Sequence, residues 1–158
     1  MGVMHIDSRH EYPAPPDEIF AMMTDPDWLI MVVERVGAQS HHVTTTGDLI
    51  GVHAEVPAPD QVKAFTGATL AIDQQYTWAR VEQGYDAHLA VTVERMPGGL
   101  DGQGSLRPTQ LGTLVHYVGE VAVKVPLVGG RLEKAAAPHI SRILQVQFDA
   151  GEEWLARH

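Results

Sequence analysis

Nine histidines, four tyrosines and three tryptophans stand in this chain, and cysteine is absent. The side chains able to do chemistry are therefore imidazoles, phenols and carboxylates; disulfides, thiolate metal sites and cysteine nucleophiles are excluded. His41 and His42 are adjacent, and on a strand adjacent side chains point to opposite faces, so they cannot share one ion. No two histidines are separated by one or three residues, and no helical Glu-x-x-His motif supports them. Scattered surface imidazoles are the better account, and no metal is expected. His139 stands apart because it follows Pro138 beside the apolar stripe of the last helix. The segment Gly102-Gln103-Gly104-Ser105-Leu106 lacks the Gly-x-Ser-x-Gly spacing of a nucleophile elbow. Arg107 stands where a dinucleotide loop needs its third glycine, and no lysine follows a glycine loop as in a phosphate-binding site. Each of these glycine segments reads as a turn. No catalytic residue and no cofactor are expected.

What must position the remaining phenols and indoles is a sheet. Met4, Ile6, Ser8, His10 and Tyr12 alternate with polar neighbours, as a half-buried strand requires. Pro13 to Glu18 breaks that strand, and Ile19, Phe20, Met22 and Met23 give a short helix near 15–24 an apolar face. Asp25-Pro26 opens a second helix, 26–36, which Gly37 ends. Alternation returns in Ile50–Val56, Leu70–Trp78, Tyr85–Val93 and Val115–Val125, with turns at Thr46-Gly47-Asp48, Gln83-Gly84, Pro97-Gly98-Gly99 and Gln110-Leu111-Gly112. Pro57 to Gly67 interrupts the series as a short helix or a lid. From Leu127 onward Leu132, Ala136, Ile140, Leu144, Phe148 and Leu155 form a helical stripe. The interior Pro138 predicts a helix start or a kink there, and Gly129-Gly130 could break the helix earlier. Strands with one apolar face imply an antiparallel sheet, and the long last helix covers that face. The expected fold class is α+β, as one domain over residues 1–158.

Composition bounds the function. Eleven Lys and Arg against twenty Asp and Glu give a formal charge of −9. Without a basic stripe the chain is a poor partner for nucleic acid or an anionic membrane. The start of the chain carries no basic segment followed by an apolar stretch, and Gly2 lacks the serine or threonine that myristoylation needs four residues on. The longest apolar run, Trp28 to Val33, is far too short to span a bilayer. The expectation is a cytoplasmic protein with no stable membrane insertion, its oligomeric state left open.

Three segments carry a family resemblance. They are Tyr12-Pro13-Ala14-Pro15-Pro16-Asp17-Glu18-Ile19-Phe20 with Thr24-Asp25-Pro26 behind it, Lys124-Val125-Pro126-Leu127-Val128-Gly129-Gly130-Arg131-Leu132-Glu133-Lys134, and the ending Glu153-Trp154-Leu155-Ala156-Arg157-His158. With the order of elements, they make the chain resemble the START/Bet v 1-like (SRPBCC) superfamily, and within it the DUF2505 branch. The resemblance covers essentially the whole chain; the Val-Pro-Leu-Val-Gly-Gly segment is its more specific part. It implies the helix-grip fold, a curved antiparallel sheet wrapped around a long C-terminal helix with two short helices after the first strand. It also implies an apolar cavity between sheet and helix, and it carries over no catalytic residue.

Parity along the strands places Gln74, Tyr76, Trp78, Tyr85, Arg95 and Tyr117 on the inward face. Buried tyrosine and tryptophan tips generally seek a hydrogen-bond partner, and a cavity with sparse polar anchors meets that need. The alternative is that the tips reach water or backbone at the rim. The expected ligand-binding residues are Trp28, Tyr76, Trp78, Leu89, Val91, Tyr117, Ala136, His139, Ile140 and Ile143; Trp28, Met22, Met23 and Met31 read equally as lining of the entrance or as ordinary helix-core residues. The expected partner is a hydrophobic small molecule such as a lipid or polycyclic compound. Two other readings stand beside this carrier or sensor. One is a cyclase/aromatase-like enzyme drawing on His10, Tyr76, Tyr117 or Arg95; the other is a protein-interaction module with a filled core.

Overall fold

The computed structural model describes residues 4–158; Met1, Gly2 and Val3 lie outside the described residues. The first strand, β1 (Met4–Tyr12), has its even positions turned inward and its odd ones to solvent. Pro16 then opens helix α1 (Pro16–Met23) and Pro26 opens α2 (Pro26–Val36), each ring filling a first-turn position where no N–H is needed. The Asp25 carboxylate caps α2 by accepting the Asp27 N–H at 2.8 Å, and Gly37 ends it at φ 106°.

The sheet follows as β2 (Ser40–Thr46), β3 (Leu49–Pro57), β4 (Thr69–Val81), β5 (Gly84–Val93), β6 (Met96–Pro108) and β7 (Thr113–Val123). One turn of helix, α3 (Lys63–Thr66), lies between β3 and β4, and α4 (Gly129–Arg157) completes the chain. All neighbours are antiparallel, in the order β1-β7-β6-β5-β4-β3-β2, so β1 joins the sheet beside the last strand. No helix among the described residues is long and apolar enough to cross a membrane.

Two expectations fail. Pro97-Gly98-Gly99 and Gly102–Ser105 are not turns but lie inside β6, paired with β5 and β7. The actual turn is Glu94-Arg95, where Arg95 takes φ 67°. Nor does Pro138 start a helix: α4 runs continuously through it, which leaves only the kink of the two alternatives. The ring projects on the exposed side and removes one backbone bond, while α4 stays tied to the sheet through Glu133 on one side of it and the Gln147 carbonyl on the other. Gly129 begins the helix rather than breaking it; a Cβ there would overlap the Val123 carbonyl oxygen. Next to it the buried Glu133 carboxylate accepts the Val123 N–H at 2.8 Å, joining the first turn of α4 to the end of β7.

The core is not centred between sheet and α4. It is gathered where α1 and α2 close one end of the sheet. Phe20 stacks on Tyr85 at 4.1 Å and meets Trp78 edge-on at 5.3 Å. Ile19, Met22, Leu106 and Val115 fill the space behind them, each 2% exposed or less. Tyr12 and Phe148 extend this core to the C-terminal part of α4.

Candidate functional site

Away from that plug the sheet and α4 separate. Between them lies a cavity of about 270 Å³, toward the end where β3, β5 and β7 finish. Its walls follow from strand parity. Leu70, Ile72, Gln74 and Tyr76 face it from β4, Leu89, Val91 and Val93 from β5, and Tyr117 and Val121 from β7. Helix α4 supplies Leu132, Ala136, His139, Ile140, Ile143 and Gln147.

The space is left open by small residues where the walls would otherwise meet. Gly102 pairs directly with Gly119, and Gly119 with Ile6, so two adjacent strands present no side chain at one spot. Ala135 and Ala136 continue the same economy on α4. Gly104 instead makes room for an aromatic ring. An added Cβ there would lie 3.0 Å from Cε1 of Tyr117, whose ring covers it. A core built of leucine and valine at these positions would fill the gap.

Where the cavity meets the core stand two tyrosine–glutamine pairs, while Gln103 and His139 line it from exposed positions. The Tyr76 hydroxyl donates to Gln74 Oε1 at 2.8 Å, and Gln147 Nε2 donates to the Tyr117 hydroxyl at 3.2 Å. The Tyr12 hydroxyl donates to the Gln147 carbonyl at 3.3 Å, fixing the turn of α4 that presents this amide. Burial pushes the Tyr76 phenol up to about 12 and the Tyr117 phenol well above its usual range, so both stay neutral. No lysine, arginine, aspartate or glutamate lines the cavity; His139, at the exposed edge of α4, is the one imidazole. Among the described residues no three histidines, aspartates or glutamates gather as a metal site.

Eight of the ten expected ligand-binding residues line this cavity: Tyr76, Leu89, Val91, Tyr117, Ala136, His139, Ile140 and Ile143. Trp28 and Trp78 do not. Trp28 is 1% exposed and Trp78 4%, both inside the core that α1 and α2 build. Their indole N–H groups are buried without a partner, so the expectation that such tips find one holds for the tyrosines and fails here. Met22 and Met23 are core as well, and Met31 packs against it, so none of the three stands at an entrance. Arg95 is exposed in the β5–β6 turn. His10 points inward but stacks on Phe148 at 4.4 Å, outside the cavity, with Nε2 3.6 Å from Glu152. From the Pro57–Gly67 segment, Pro59 and Val62 border the cavity. Gly102, Gly119 and Gln147 were not among the expected site residues. The signal for the glycines is their parity with inward apolar residues, Gly102 with Leu100 and Leu106 and Gly119 with Val115 and Val121, and for Gln147 its place on the stripe of α4 between Leu144 and Phe148.

Residues 7–155 match the family described as "Protein of unknown function (DUF2505)". The chain belongs to the DUF2505 family. No curated protein matches it in sequence. Among solved structures, this DUF2505 chain is similar to TTHA0849 from Thermus thermophilus, at 16% identity and a TM-score of 0.69 over 95% of both chains. It is similar to Ara h 8.0201 at 17% identity and 0.64, covering 99% of this chain and 100% of that one. It also matches the di-domain ARO/CYC StfQ from the steffimycin biosynthetic pathway, at 11% identity and 0.67, over 96% of this chain and 50% of that chain. At such identities the likeness is one of fold: the DUF2505 chain has the Bet v 1-like helix-grip fold.

Proposed function

We propose that this protein binds a hydrophobic small molecule in the cavity between the sheet and α4, as a carrier or a sensor. The observation that carries the reading is an apolar cavity of about 270 Å³ that holds two buried or half-buried tyrosine–glutamine pairs. Small-molecule pockets have that character, mostly apolar with a few convergent polar anchors, and span about 300–1,000 Å³. A volume just below that range suits two or three fused rings or a short acyl chain better than a full-length lipid. Burying about 200 Å² of ligand contributes roughly 5 kcal/mol before association costs, the equivalent of a Kd of about 0.2 mM, so apolar burial alone gives weak, tolerant binding. Pro59 and Val62 border the cavity, which supports the segment from Pro57 to Gly67 as the gate.

The experiment is a titration with environment-sensitive fluorescent fatty-acid and polycyclic probes, repeated on Ala136→Trp. The indole would occupy the cavity, so probe binding should fall at least tenfold while the circular dichroism spectrum is retained. Absence of binding to the wild type, or equal binding by the variant, would reject the cavity and favour an interaction module.

A cyclase-like enzyme is the second reading, supported by the likeness to the ARO/CYC protein StfQ and by two neutral phenols in the cavity. It ranks second because Tyr76 and Tyr117 bond to amides, Gln74 and Gln147, rather than to a carboxylate or imidazole. A side-chain amide neither gives up nor takes a proton near neutral pH, so neither pair forms an acid–base relay.

A further inference from the structure

We propose that the inner end of this cavity selects an uncharged ligand carrying a hydrogen-bond acceptor oxygen, such as a ketone or ester carbonyl, and rejects carboxylate anions. The inference rests on the cavity-binding reading above and adds the chemistry of the ligand's polar end.

Two tyrosine–glutamine pairs carry it. Gln147 Nε2 donates to the Tyr117 hydroxyl, which leaves the phenol proton free. With the amide turned over, the phenol would donate to Gln147 and leave the amide N–H free instead. The Tyr76–Gln74 pair obeys the same count: one group donates, and the other keeps a proton with no partner among the described residues. In either orientation each pair offers the cavity a spare donor. All four side chains line the same cavity, one pair on β4 and the other joining β7 to α4. A carbonyl oxygen accepts up to two such bonds through its two lone pairs.

The donors are permanent. Both phenols hold their protons through the physiological range because burial raises them, Tyr76 up to about 12. A carboxylate at the same place would receive the same two donors but no counter-charge, since no lysine or arginine lines the walls. Burying an anion against neutral donors alone leaves much of its lost hydration unrepaid. His139, the one group able to become cationic, stands at the exposed edge of α4, away from this end.

Three naphthalene probes of nearly equal shape separate the terms: 2-acetylnaphthalene, 2-ethylnaphthalene and 2-naphthoate, measured by titration calorimetry at pH 7.5 on the full chain. The acetyl compound should bind about three- to tenfold more tightly than the ethyl one, the ordinary worth of one or two neutral hydrogen bonds. It should also bind at least tenfold more tightly than the carboxylate. The double variant Tyr117→Phe/Gln147→Met, which removes every donor of that pair, should shrink the acetyl-over-ethyl preference. Either single change leaves the partner's proton free and should keep most of it. An undiminished preference in the double variant would overturn the assignment of the donor to this pair. Equal binding of all three probes, or tighter binding of the carboxylate, would overturn the proposal and leave the cavity reading standing. If none of the three binds, the cavity reading itself falls.

Discussion

Tyr12 reaches from the last position of β1 to α4, where its hydroxyl donates to the carbonyls of Gln147 and Phe148. Its ring lies directly over Gly151, and a Cβ at that position would overlap the hydroxyl oxygen and the ring. Glycine inside a helix is normally a weakness, costing about 1 kcal/mol relative to alanine. Here the sign reverses. Gly151→Ala should destabilise the protein by about 1–3 kcal/mol, the usual cost of overpacking a filled core. A lowered urea midpoint with an unchanged slope would show it. In a Tyr12→Ala background the same alanine should cost less than it does alone, because the ring it strikes is gone. A stabilising Gly151→Ala in the native background would mean that Tyr12 moves aside freely. The contact also bears on the cavity, since the carbonyl that Tyr12 holds belongs to Gln147, the residue whose amide meets Tyr117.

Among the elements, α4 shows how packing overrides a local rule. Its 29 residues include an interior proline and two glycines at the start, and each is a helix breaker by propensity. The helix persists because its inner face is bound at both ends, by Glu133 on the Val123 N–H and by Tyr12 on the Gln147 and Phe148 carbonyls. Pro138 is therefore a removable cost. Pro138→Ala restores the N–H that can donate to the Lys134 carbonyl, and Pro138 is exposed, so little contact is lost. The variant should gain about 1–2 kcal/mol after allowing for the freer unfolded chain, read as a raised denaturation midpoint; an unchanged or lowered midpoint would refute it. Strand β6 teaches the converse. Gly98, Gly99, Gly102 and Gly104 read as turn residues because glycine is the commonest punctuation of a chain. Inside a strand it instead allows close approach of another group. Gly102 does so at the cavity wall, paired with Gly119, and Gly104 does so under the Tyr117 ring.

At the scale of the whole molecule, an unfilled cavity between sheet and helix leaves stability unused, because its walls lack the contacts that a close-packed core has. A ligand that enters binds the native state alone and stabilises it by mass action. At a free concentration a hundredfold above its Kd the gain is about 2.7 kcal/mol. For a chain of this length that raises the melting temperature by about 5–10 °C. Differential scanning fluorimetry with the tightest-binding probe should record this shift in the wild type and little or none in Ala136→Trp. An equal shift in both would place the binding elsewhere on the molecule.

The one-dimensional pattern determined much of this. Alternation marked the inward face of β4, β5 and β7. Proline and aspartate marked the starts of α1 and α2, and the apolar stripe marked the face of α4 that meets the sheet. Each of these is a local or periodic property, readable because strands repeat every two residues and helices every 3.6. What parity cannot tell is how far along a strand a residue lies from whatever covers it. Tyr76 and Trp78 are two residues apart on the same face of β4, yet Tyr76 lines the cavity and Trp78 is core. The difference is made by Phe20, carried from a distant part of the chain by α1, which meets Trp78 and stops short of Tyr76. The pairing of Gly102 with Gly119 was likewise invisible, because it needs the register of β6 against β7 before the two gaps become one. Sequence therefore chose which side chains face inward. Only the tertiary arrangement decided where that interior is filled and where it is left open, because a cavity is a property of what fails to meet across it.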